Sequence, residues 1–263
     1  MLKFQHASRA SQGARPYQED ASAVWPGPDA VPAPGDMPPP PEGTALVAVL
    51  ADGMGGHAGG ALASSTICTT FLAAFAAQSG EGRARLKPSL IAANTAIEEK
   101  VSANPQLAGM GATLVGTAMG EAGLSWISVG DSPMYLYRAG ELVQLNEDHS
   151  LAPVIDRLVT QGKLTPEQAR HDPRRHYLRS AITGEDIEMV DAPERPLALA
   201  PGDIILLASD GVNTLEPDAI RDVITGTAAY GADAVADALI RSVAEANEPH
   251  QDNTTVIVVT VGE

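Results

Sequence analysis

Apolar residues in this chain fall into short runs bounded by glycine, separated by longer stretches with helical spacing. A first half-buried segment, "ASAVW", covers 21–25, and "ALVAVLA" at 45–51 reads as a buried strand. "HAGGALASSTICTTFLAAFAAQ" is alanine-rich and apolar nearly all round, which predicts a buried helix. "LKPSLIAANTAIEEKVSANP" predicts a second, amphipathic helix that ends at Pro105. The period then shortens. "GATLVGTAMG", "GLSWISVG", "MYLYRAG" and "ELVQLN" are β segments with glycine-containing turns, as in an antiparallel meander. The stretch 148–184 is polar and helical, with "RHDPRRHYLRS" as its most basic part. "GDIILLASDG" is a buried strand ending in Asp-Gly; helices follow at about 216–226 and 232–246, and "NTTVIVVTVG" closes the chain as a strand. There is no internal repeat, and the order predicts sheets with helices packed outside them.

Proline interrupts this pattern once. "PGPDAVPAPGDMPPPPEG", from Pro26 to Gly43, cannot join a ladder or a helix interior, and what precedes it is too short to be a domain. It is expected to be a long surface loop between neighbouring strands. With 263 residues and 44% hydrophobic content, residues 1–263 are expected to form one globular domain. A formal net charge of -16 disfavours a nucleic-acid partner, because phosphate backbones are gripped by clustered Lys and Arg. Cys68 is the single cysteine, which excludes an internal disulfide and a thiolate metal cage. No apolar stretch is read as approaching the roughly 18 residues that span a bilayer, and the N-terminus lacks the apolar core of a signal peptide. The expectation is a soluble, cytoplasmic monomer with no membrane partner.

Candidate chemistry sits at strand ends. Asp20 precedes the segment at 21, Asp52 follows "ALVAVLA", Asp210 follows "DIILLAS", and Asp252 precedes the last strand. Grouped carboxylates carry a high desolvation cost unless a positive charge meets them, and lysine is sparse nearby. Oxygen donors without cysteine or a histidine cluster suit magnesium or manganese better than zinc. Gly53 has no side chain, so its carbonyl can approach an ion closely. Asp-Gly is also a common turn dipeptide, and the glycines of "DGMGGHAGG" could cradle a phosphate. On the residues alone a turn, a phosphate cradle and a metal seat stay open. The cradle is the weakest, since it lacks the Lys-Ser/Thr of a P-loop and the spacing of a dinucleotide fingerprint.

"RPYQED", "ADGMGGHAGG", "VGDSPMYLYR", "LNEDHS", "LLASDGV" and "DNTTVIVV", in this order from Arg15 to Val259, resemble the metal-dependent protein phosphatases, the type 2C serine/threonine phosphatases, in their bacterial form. The resemblance implies an α+β fold: a four-layer αββα sandwich of two antiparallel sheets flanked by helices, with metals at one edge. It implies that Asp52 bridges two ions, Mn2+ or Mg2+, and that the Gly53 carbonyl, Asp210 and Asp252 complete their protein ligands. Asp20 would contact the site directly or through water, Glu19 and Asn253 would stand behind the ligands, and Asp131 would help hold a third ion. Arg15 would bind the substrate phosphate, which suits a guanidinium fork.

The implied activity is hydrolysis of phosphoserine and phosphothreonine monoesters by in-line attack of a metal-bridging water or hydroxide. Partners would be phosphorylated proteins, including a cognate Ser/Thr kinase or its targets. The alternative is a catalytically silent domain of the same fold that binds phosphoproteins or a kinase. Such domains usually lose metal acids, and here all are present. Three positions depart from the family pattern. Gln18 stands where asparagine is common, Pro133 replaces the arginine of G-D-S-R, and Met54 replaces the histidine proposed as general acid in eukaryotic relatives. His57 is the nearest substitute, at a helix start where a structural role is the commoner one. The 148–184 stretch corresponds to the variable flap of bacterial relatives. It is either a solvated basic face or a surface that recognises acidic phosphorylated segments.

Overall fold

The computed structural model describes residues 2–26, 43–55 and 58–263. Most of the proline-rich loop expected at 26–43, together with Gly56 and His57, lies outside the described residues.

Chain order begins with β1 (Lys3–Ser11), β2 (Ala21–Trp25), β3 (Thr44–Ala51) and β4 (Gly53–Met54), then helices α1 (Ala58–Ala77) and α2 (Gly82–Ala103). Next come β5 (Gly111–Ala112), β6 (Leu114–Gly120), β7 (Gly123–Val129), β8 (Met134–Arg138) and β9 (Glu141–Gln144). Two short helices, α3 (Ala152–Thr160) and α4 (Pro166–Arg170), precede β10 (Ile204–Ala208), α5 (Pro217–Thr227), α6 (Ala232–Glu245) and β11 (Thr254–Gly262). The strands form a five-stranded sheet ordered β1-β11-β10-β8-β9, a four-stranded sheet ordered β2-β3-β6-β7, and the small pair β4-β5. Every named strand pair is antiparallel.

Strand alternation builds the layers. Successive side chains point to opposite faces of a sheet. Val47, Val49 and Ala51 of β3 therefore join one buried cluster with Ile67, Phe71 and Phe75 of α1 and Leu90 and Ile97 of α2. Their neighbours Leu46, Ala48 and Leu50 join a second cluster with Ile205 and Leu207 of β10 and Ile257 and Val259 of β11. The other face of β10 and β11, with Leu206, Val256 and Val258, packs on Ile220 and Ile224 of α5 and Val235 and Leu239 of α6. Helices, sheet, sheet, helices: this is the αββα sandwich that the resemblance implied. Close packing sets residue size as well. A Cβ on Gly116 of β6 would lie 2.4 Å from the Phe71 ring, and full burial of such a ring contributes about 3 kcal/mol.

Four sequence expectations change. Strand β1 was not anticipated, because "KFQHASRAS" shows weak apolar alternation; it exists through its nine-residue register with β11. The meander divides: β6 and β7 pair in one sheet, whereas β8 and β9 pair in the other. The 148–184 stretch is helical only at α3 and α4, and isolated bridges fix parts of the remainder. Finally, Gly59–Ala77 is long and apolar enough by composition to cross a membrane, contrary to expectation. Its apolar side chains pack on the β2-β3-β6-β7 sheet, which accounts for that composition.

Candidate metal centre

Register puts the expected acids on one rim. Ala21 pairs with Ala51, so Asp20 and Asp52 leave adjacent strands of the four-stranded sheet side by side. Ala208 pairs with Val256, so Asp210 and Asp252 flank the matching ends of β10 and β11 in the facing sheet. Leu114 pairs with Val129, which brings Asp131 beside the end of β6. Arg15, Glu19, Asp52, Gly53, Asp131, Asp210, Asp252 and Asn253 all line one cavity of about 1180 Å3. Asp20 reaches the same rim through its bond to Ser209.

Hydroxyls and amides hold the acids in place. Thr113 Oγ1 accepts from Asp52 N at 3.0 Å and meets Ser132 Oγ at 2.7 Å, while Thr113 N donates to Asp52 O. The loop bearing Asp131 is thereby tied to the strand end bearing Asp52. Gly130 N donates to buried His149 Nδ1 at 3.2 Å, and His149 N donates back to Gly130 O. Ser209 Oγ donates to Asp20 Oδ2 at 2.8 Å and accepts from Thr255 N at 2.9 Å. Asn253 Oδ1 accepts from Glu19 N, and its Nδ2 donates to Gln12 O and Tyr17 O, which clamps the loop carrying Arg15. Arg15 itself forms an ion pair with Asp252. Thr113, His149 and Ser209 were missed in the sequence. The only available sign was a polar residue inside or beside a buried apolar run.

The departures have local accommodations. Gln18 Oε1 accepts from Asp20 N, and its Nε2 donates to Ser11 O. Where Pro133 stands, Asn146 holds the turn by accepting from Met134 N at 2.7 Å and donating to Ser132 O at 2.9 Å. Met54 lies against Gly111. His57, the proposed substitute acid, is outside the described residues.

The electrostatics are those of an overloaded acid cluster. Asp52 is pushed well above the usual carboxylate range, first by burial and then by the charges of Asp210, Asp20, Asp131 and Asp252. Burial, with Asp210 and Asp148 behind it, lifts Asp131 to about 8. Asp20 rises to about 6 by burial, against the hydrogen bond from Ser209. Asp210 is raised by burial and by Asp252. Among the described residues Asp20 Oδ1 and Glu19 Oε1 are buried without a hydrogen-bond partner. Also among the described residues, no three such side chains already stand at ligand geometry: the acids line a cavity rather than close on a point. Oxygen-only donors, orphaned carboxylate oxygens and mutual repulsion fit divalent cations, which remove the repulsion and occupy the free lone pairs. The backbone is close-packed at the same place, so that only glycine fits. A Cβ on Gly53 would lie 2.3 Å from Gly60 O and 2.4 Å from Glu19 O.

Fold and rim together define a class: a two-sheet sandwich between helical layers, with a carboxylate-lined site of the hard-cation type at its edge. The chain belongs to the protein phosphatase 2C family, whose model, described as "Protein phosphatase 2C", matches residues 41–252. It is 34% identical over 222 residues to the serine/threonine protein phosphatase PstP of Mycobacterium tuberculosis, covering 82% of this chain and 40% of that protein. The chain thus spans well under half of that relative's length. It is 32% identical over 221 residues to the protein phosphatase PhpP of Streptococcus pneumoniae, covering 82% of this chain and 85% of that one. Among solved structures, the catalytic domain of PstP in complex with two manganese ions superposes with a TM-score of 0.76 at 30% identity, covering 100% of both chains.

Proposed function

We propose that residues 1–263 work as one catalytic unit, a metal-dependent phosphatase of phosphoserine and phosphothreonine in proteins. The observation that carries this reading is the meeting of Asp20, Asp52, Asp131, Asp210 and Asp252 at one rim beside Arg15. On this reading Asp52, Asp210, Asp252, the Gly53 carbonyl and Asp20 hold two Mn2+ or Mg2+ ions, and Asp131 helps hold a third. Bound there, divalent cations supply positive charge against the phosphoryl oxygens and make water a competent nucleophile at neutral pH.

The remaining steps fall to the chain's own residues. Arg15, half exposed at the cavity wall, presents a guanidinium fork to the substrate phosphate, and Asn253 fixes the loop that carries it. Thr113 and Ser132 keep Asp52 and Asp131 in register across the rim. Cys68 is buried, and burial pushes its thiol far above the range of a reactive thiolate, so it is not a nucleophile. The phosphatase names of the relatives support phosphorylated proteins as substrates, a cognate Ser/Thr kinase or its targets among them. A silent binding domain of the same fold is disfavoured, because every acid of the set is present.

The test is phosphate release from a phosphothreonine peptide and from p-nitrophenyl phosphate with added Mn2+, and again with chelator. Turnover that appears with Mn2+ and vanishes with chelator is expected. Absence of metal-dependent turnover on both substrates refutes the reading.

A further inference from the structure

His176, Tyr177 and Arg179 project from the 148–184 stretch and line the cavity that holds Asp52 and Asp210. Their backbone is fixed. Leu151 N donates to Tyr177 O at 2.9 Å, and Arg179 N donates to His149 O at 2.8 Å. Beyond them, Ile182 and Ala112 exchange two hydrogen bonds, so the segment is stitched to β5 and through it to β4. Arg175 grips Asp156 with two further bonds, at 2.6 and 3.2 Å. Tyr177 and Arg179 therefore stand at defined places on the wall.

Charge distinguishes Arg179 from its neighbours. The basic look of "RHDPRRHY" is mostly neutralised where it stands, since Arg174 pairs with Asp172 and Arg175 with Asp156. Arg15, also on the cavity wall, is engaged with Asp252. Arg179 lines a wall that also carries Asp186, Glu188 and Glu248, yet among the described residues it closes an ion pair with none of them. Two positions earlier on the same wall, Tyr177 leaves 61% of its surface exposed, an unusual position for a large aromatic side chain. A guanidinium without an ion pair and an exposed ring two residues before it, both on a braced stretch of the cavity wall that also carries Asp52 and Asp210, make a recognition element without an internal acidic partner.

Building on the phosphatase reading, we propose that Arg179 and Tyr177 form a subsite for an anionic side chain that flanks the scissile phosphoresidue in the same peptide. The guanidinium takes the carboxylate or second phosphate of that side chain, and the Tyr177 ring supports its aliphatic stem. The chain would then favour phosphorylated segments carrying a nearby acid over those carrying a nearby base, despite its own acidic surface.

The test is kcat/KM on phosphothreonine peptides identical except for one flanking position occupied by Glu, a second phosphothreonine, or Lys. Within one variant any general loss of activity cancels from the ratio between peptides. The wild type is expected to prefer the Glu peptide over the Lys peptide by roughly ten-fold, mostly in KM, as one exposed attraction exchanged for a repulsion. The doubly phosphorylated arm tells phosphate from carboxylate as the preferred anion. Arg179→Gln is expected to bring the ratio close to one, Arg179→Glu to invert it, and Arg179→Lys to restore most of it. Arg170→Gln, altering a flap arginine outside the cavity wall, is expected to keep the wild-type ratio. Hydrolysis of all peptides at equal efficiency, or an unchanged ratio in Arg179→Glu, overturns the subsite and leaves the phosphatase reading standing. No metal-dependent hydrolysis of any peptide overturns both.

Discussion

Two residues show how tightly the rim and its support are specified. Gly53 sits between Gly60 O and Glu19 O, and backbone oxygens cannot step aside for a methyl group. Gly53→Ala is expected to lower stability by about 2–3 kcal/mol through overpacking alone; urea denaturation measures it, and an unchanged midpoint would contradict the close approach. Asp203 is buried, and Arg138 donates to both of its oxygens at 2.7 and 2.6 Å. Burial raises the Asp203 pKa, while the bonds from Arg138 and from Ala200 N outweigh that, so the net shift is downward. A carboxylate with a depressed folded pKa contributes stability above its unfolded pKa and loses it as pH falls through the folded one. Arg138→Met strands the carboxylate and is expected to cost about 2 kcal/mol near pH 7, discounted because Arg138 is 42% exposed. The deficit relative to wild type should shrink below about pH 4, where the unfolded-state aspartate protonates. Parallel denaturation curves at both pH values decide it. Asp52 and Asp210 were legible at this scale because an acid closing an apolar run is conspicuous, and Asp252 because it stands just ahead of the last one. Thr113 and His149 were not, since a polar residue buried for its hydrogen bonds resembles any other buried polar residue in sequence.

Elements were legible in proportion to how much of their pattern is local. The alanine-rich helix and the strands ending at Asp52 and Asp210 announce themselves by unbroken apolar runs. Strand β1 depends on a partner more than 240 residues away, so its own pattern carries little of the information. The division of β6–β7 and β8–β9 between sheets is likewise invisible in hairpin spacing, which is alike in both. Helix α2 starts earlier than its apolar pattern suggests and takes Pro88 into its interior. There the ring removes a backbone donor and crowds the preceding turn. Pro88 is exposed, so Pro88→Ala adds a hydrogen bond without disturbing the core. It is expected to raise stability by about 1–3 kcal/mol, seen as a rise in melting temperature. An unchanged or lower value would mean that the helix has relaxed around the proline.

At the scale of the whole molecule the organising fact is a conflict. Two sheets pack face to face and deliver acids from both to one rim, in a chain whose net charge is already -16. The sandwich was legible only through resemblance, because composition and periodicity specify layers without saying how sheets face each other. Repulsion at the rim implies that cations which bind the folded state also stabilise it. With Mn2+ at about 100 times its dissociation constant, one site adds about 2.7 kcal/mol. The melting temperature should rise by about 5 °C or more and fall back with chelator, and no shift with Mn2+ would count against a cation site. The central claim is that this rim runs phosphate-ester hydrolysis through Asp52, and the most direct measurement is phosphate release from a phosphothreonine peptide by Asp52→Asn beside wild type, both at saturating Mn2+. The account predicts a loss of more than about 100-fold, since even an outer partner of a metal ligand costs up to that much. Turnover in Asp52→Asn equal to wild type would contradict it.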